Sequence, residues 1–120
     1  MIIKYKGIYI RMPRAVLIDT DRDVVREIDL DISPEKNEVV KYIRGLPTFI
    51  GQWPDIDVVI IRSCGALVKN ENILPPPFDA EEVYGAVLLV RMDENSEHVD
   101  FTLHEYLSFR DERVSVQNGR

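Results

Sequence analysis

Several residues in this chain have types and spacings that could do chemistry. Cys64 with His98 or His104 would pair a thiol nucleophile with an imidazole base. The two histidines are six apart, so a metal would need a third ligand, and zinc sites usually show tighter paired spacings. Cys64 follows the apolar run Val-Val-Ile-Ile (58–61), where a free thiol is expected to be a buried small hydrophobe. Glu27, Asp29 and Asp31 alternate along one segment and could hold a divalent cation or mimic phosphates. Alternating acids on a strand more often solvate and protect an edge, and that is expected here. Arg62, Asn70, Asn72 and Arg91 are the groups that would converge on a nucleotide, since arginine binds phosphate in bidentate fashion.

The usual cradles are missing. The chain has no Gly-x-Gly-x-x-Gly, no Gly-x-x-x-x-Gly-Lys and no calcium loop of the Asp-x-Asp-x-Asp-Gly kind. No catalytic set, metal site or cofactor is therefore expected. Recognition residues remain. Trp53 with Phe49, Gln52 and Pro54 makes an aromatic turn that either caps the core or anchors a contact, as tryptophan does well. Three consecutive prolines, 75–77, fix φ and remove three backbone donors, so they belong neither to a helix interior nor to a central strand. Pro76 and Phe78 of that loop join Phe49, Gln52 and Trp53 as the expected contact surface.

These residues must be positioned by a single domain, the size that 120 residues allow. One cysteine excludes an internal disulfide and suits a reducing compartment. The opening residues are broken by charge before any signal segment forms, and no apolar run approaches membrane-spanning length. A cytosolic chain, or a nuclear one in a eukaryotic host, is expected, without membrane contact. Its net charge is −6, yet residues 1–14 carry Lys4, Lys6, Arg11 and Arg14 with no acid. An acidic body argues against nucleic-acid binding. The basic segment suits an acidic partner, or the acidic body of a second copy.

Residues 2–12 are β-branched and aromatic, a strand broken or bulged at Gly7 or else a hairpin. Residues 15–19 form a short apolar strand. In residues 24–32, Ile28, Leu30 and Ile32 alternate with the acids, the pattern of a half-buried strand. Ser33-Pro34 then starts the main helix and Gly45 closes it. Residues 55–62 and 84–92 read as buried strands, with 66–68 a hairpin partner of the first. One helical turn is expected over 79–83. Thr102 and Glu105 have capping-box spacing and start a short helix through Phe109.

The order of Val-Arg-Glu-Ile-Asp-Leu (25–30), Ile-Leu-Pro-Pro-Pro-Phe (73–78) and Val-Tyr-Gly-Ala-Val-Leu-Leu-Val (83–90) resembles a domain-of-unknown-function family of small phage, plasmid and large-DNA-virus proteins. The resemblance covers residues 15–109 and departs from the family pattern at Pro77, Phe78 and the basic first segment. It implies a compact α/β protein of viral or mobile-element origin, with no activity or catalytic residue to carry over. The expected fold is α/β: a mixed, curved sheet of five or six strands, one main helix on one face and a short C-terminal helix. Residues 1–14 would mediate assembly, 15–109 form the domain and 110–120 fray. The leading expectation is a non-enzymatic binding protein acting through protein contacts, as a homo-oligomer. A nucleotide-binding domain is the alternative, and a hydrolase using Cys64 ranks third.

Overall fold

A computed structural model of the chain describes the backbone of residues 2–5 and 8–118 and the side chains of residues 12–114. The first segment is a hairpin. Strands β1 (Ile2–Tyr5) and β2 (Ile8–Arg11) pair antiparallel, Ile3 opposite Ile10 and Tyr5 opposite Ile8, in a sheet of their own. The break expected at Gly7 lies outside the described residues.

The main sheet is built from β3 (Arg14–Ile18), β4 (Val25–Asp29), β5 (Pro47–Trp53), β6 (Val58–Ser63), β7 (Val87–Met92) and the short β8 (His98–Val99). Its order is β4-β3-β7-β6-β5, with β8 on β7, and every described pairing is antiparallel. The fold is α+β, with an open six-stranded sheet. A mixed sheet was expected, but no crossover helix joins two neighbouring strands. The expected partner of β6 at 66–68 is not a strand either. That place is filled by β5, and Lys69 forms only an isolated bridge with Tyr84.

The period of two sorts the core into two faces. Val16, Ile18, Val58, Ile60, Val87 and Leu89 lie on one face with Trp53, Leu74, Phe101, Tyr106 and Phe109. Ala15, Leu17, Leu88 and Val90 lie on the other with Ile28, Leu30 and Ile43. Each face thus carries one helix. On the first sits α2 (Leu103–Asn118), opened by the expected capping box: Glu105 N–H donates to Thr102 Oγ1, and Thr102 N–H to Glu105 Oε1, both at 3.1 Å. It runs past Phe109 and is the longer helix, with 16 residues.

On the second face sits α1 (Glu38–Ile43), only six residues long. Ser33-Pro34 opens a 3₁₀ turn (Pro34–Lys36) instead of the main helix, and Ser33 makes no side-chain cap. Asn37 in the left-handed region separates turn from helix, and Arg44, also left-handed, ends α1 one residue before the expected Gly45. No helical turn forms over 79–83.

Two left-handed glycines separate backbone strain from crowding. At Gly65 (φ +80°) an added Cβ meets nothing within 4 Å, whereas at Gly85 (φ +83°) it would lie 2.6 Å from Ala66 Cβ. Gly65→Ala should cost about 1–2 kcal/mol for its backbone alone. Gly85→Ala should cost about 1–3 kcal/mol more, because Ala66 must also move. Urea unfolding of the two variants checks this, and equal losses would refute the crowding.

Candidate functional site

Six residues at 1.5 Å each make α1 about 9 Å long. The five-strand path beneath it spans about 19 Å between its outer strands. The helix lies against β7, β6 and β5, with Ile43 buried and Val39 and Tyr42 packed on the same core. Six residues do not fill that face. What remains is an apolar groove of about 480 Å³, walled by Val39 and Val40 of α1, Val59 and Ile61 of β6 and Phe49 of β5. Among the described residues that line it, Glu38 alone is charged.

Phe49 stands opposite Ile61 on this face and is 71 % exposed. The register then slips, so that Gly51 faces Ile60 and Ile50 is the extra residue of a bulge. Ile50 packs with the opposite cluster. β5 is also an edge of the sheet, and its seven residues carry no charge. The other edge, β4, carries Arg26, Glu27 and Asp29.

The rest of the expected contact surface divides. Gln52 is exposed beside Phe49. Trp53 is wholly buried, a core residue rather than a contact. Its Nε1–H donates to the Pro76 carbonyl at 3.0 Å, and its ring meets Phe78 and Phe109 edge-on at 5.8 and 5.1 Å. Pro76 and Phe78 thereby belong to the lid of the α2 face. Phe78 lies so close over Gly51 that a Cβ there would sit 2.6 Å from its ring.

The expected ligand groups do not converge. Arg62 faces Val87 and Arg91 faces Val58 on the same strand pair, about 13 Å apart along the sheet. Arg91 is held by Glu105 at 2.7 Å, by the carbonyls of Ile56 and Asp100, and by the ring of Phe101. Asn70 is buried and donates to the carbonyls of Ile18 and Gly85. Asn72 donates to those of Asp19 and Asp21 and to Asn70. The two asparagines tie their loop to the end of β3.

The acidic alternation is already paired, where a solvated face was expected. Arg14 lies between Glu27 (2.7 Å) and Asp29 (3.0 Å), and Glu27 also accepts the Leu103 N–H at the start of α2. Side-chain and backbone bonds from Ser33 hold the Asp31 carboxyl below the usual carboxylate range. No group of three or more His, Cys, Asp and Glu among the described residues could hold a metal.

Cys64 is exposed, contrary to expectation, because β6 ends at Ser63 and the thiol belongs to the turn beyond it. There its N–H donates to the Leu46 carbonyl. Cys64 lies past the Val87 end of β7, whereas His98 stands opposite Met92 at the other end, about 17 Å along the strand. Burial holds the His98 imidazole below its ordinary pKa. His104 lies beside Arg91 and Phe101, also at the far end. The sheet therefore keeps the thiol apart from both histidines.

Reading the residues singly missed the groove. Val39, Val40, Val59 and Ile61 look like core material, yet each is only partly buried beside the short α1. Asn37 inside the expected helix was the available signal, since asparagine tolerates the left-handed break that shortens it.

A model of a family of unknown function (DUF5880) matches residues 16–109, close to the span of the resemblance. No curated protein and no solved structure matches the chain.

Proposed function

We propose that this chain, which belongs to the DUF5880 family of unknown function, is a non-enzymatic binding protein that acts through protein contacts at the groove beside α1. The observation that carries the reading is an apolar groove with an aromatic side chain, Phe49, standing 71 % exposed at its lip. Large exposed aromatics beside apolar concavities are what interfaces bury. The separation of Arg62 and Arg91 and the internal bonding of Asn70 and Asn72 give the nucleotide reading no common site. A viral or mobile-element origin rests on the resemblance of the proline loop and the β7 segment. A cytoplasmic setting rests on the lone cysteine, and no helix among the described residues is long and apolar enough to cross a membrane.

Hydroxyl-radical footprinting of the full chain tests the groove. Phe49 and Met92 line it, whereas Ile73, 72 % exposed, is not among its lining residues and serves as the reference. Phe49 and Met92 should be oxidised more slowly than their exposure predicts, either in concentrated pure protein or in a cell extract, while Ile73 is not slowed. Protection of neither in both conditions would overturn the reading.

A further inference from the structure

We infer that the groove and the β5 edge receive the β1–β2 hairpin of a second copy of this chain, exchanged reciprocally in a two-fold dimer. The inference rests on the groove being a contact site and names what fills it. Its starting point is the hairpin itself. Two strands form a sheet of their own, and an isolated two-stranded hairpin is marginal in water. Residues 2–11 hold four isoleucines and two tyrosines, three cations and no acid. Such a segment needs an apolar surface with negative charge around it.

The body supplies both. Residues 12–120 hold 12 cations against 21 acids, a net charge of −9, since only Lys4, Lys6 and Arg11 belong to the hairpin segment. Glu38 lines the groove, while Glu35 and Lys36 of the adjoining 3₁₀ turn balance each other. The β5 edge is uncharged over seven residues, and although Pro47 and the bulge at Ile50 interrupt it, no charged side chain repels a second strand there. A strand added there continues the sheet, and its alternate residues fall on the groove side of Phe49. The β4 edge, with three charges in five residues, is the protected one.

Topology decides between a chain's own hairpin and its neighbour's. Met12 is buried, and the Pro13 carbonyl accepts the Leu30 N–H at 3.0 Å, so the chain is pinned where β3 begins. Arg11 and Arg14 are three residues apart and separated by at most about 11 Å. From β3 to a strand added outside β5 there are four strand spacings, about 19 Å. A hairpin cannot cover that distance within its own chain. Two copies facing each other close the exchange with a single interface type, which makes a finite dimer.

The test uses full-length chains and light scattering. Ile10→Pro removes a backbone donor from β2, and Phe49→Glu puts a charge at the lip of the groove. The unaltered chain should be a dimer, and each variant should weaken it by about tenfold or more, the loss typical of a central interface anchor. Circular dichroism should show both variants folded. Mixed together, the two variants should form a heterodimer more tightly than either pairs with itself, because the mixed dimer keeps one site with a sound hairpin in a sound groove and each variant alone has none. A monomeric parent, or a mixture without heterodimer, would overturn the exchange. If Phe49→Glu dissociates the dimer and Ile10→Pro does not, the hairpin is the wrong occupant while the groove remains a contact site. Protection of Phe49 only in extract would separate the two readings in the same way.

Discussion

Replacing Trp53 by alanine should lower the unfolding free energy by about 3–5 kcal/mol, read as a lower urea midpoint with an unchanged slope. The indole is wholly buried and stands opposite Val58 at the end of β5. It touches two parts of the chain far from it in sequence: the proline loop, through Phe78 and the Pro76 carbonyl, and α2, through Phe109. The same carbonyl accepts from Arg113, which also grips Asp55 at 2.6 Å. That exposed ion pair is worth little alone. Alanine therefore opens a cavity at a point where sheet, loop and helix meet, and leaves a carbonyl without its indole donor. Trp53→Phe keeps most of the apolar volume and should lose less. A loss under about 1 kcal/mol for the alanine variant would mean that the indole is a surface contact and not part of the core.

The two readings of Trp53 were equally open in sequence, because its core partners lie 25 and 56 positions further on and leave no local pattern. Where partners are local, the sequence was more legible. Ile28 and Leu30 point inward as their alternation required. Ile32 does not, since the chain leaves the sheet after Asp29 and turns into the segment that precedes α1. The capping box at Thr102 and Glu105 marked the start of α2, whereas its end was set too early. Cys64 was misplaced by a single residue: the apolar run that buries a thiol stops with β6. The groove was illegible for another reason. Its residues have core chemistry, and their partial exposure depends on where a six-residue helix lies on the sheet, which no local pattern records.

The second large effect is expected at Asn70, a buried polar residue whose bonds are internal. Its Nδ2 donates to the carbonyls of Gly85 at 2.9 Å and Ile18 at 3.3 Å. Its Oδ1 accepts the Asn72 N–H at 2.9 Å, and its own N–H donates to Val83. Asn72 continues the stitch, accepting the N–H of Asp23, whose φ is +63°. Asn70→Ala leaves these acceptors without a donor and should cost about 1–3 kcal/mol. Asn72→Ala shares part of that network, so the double variant should lose less than the two single losses added. Asn70→Asp is the sharper probe because it keeps the shape. It sets an oxygen against two carbonyls, and at neutral pH it buries a charge with no cation beside it, at a cost of about 3 kcal/mol or more. Burial raises the pKa of this new carboxyl in the folded state above its unfolded value of about 3.9. The unfolded chain then releases the proton first, so the penalty should grow as pH rises above about 4 and level off once the folded pKa is passed. Urea midpoints of Asn70→Asp between acid and neutral pH, measured against the parent chain, should diverge as pH increases. Parallel midpoints would mean that the side chain reaches water and that the stitch between the loop and β3 is not sealed.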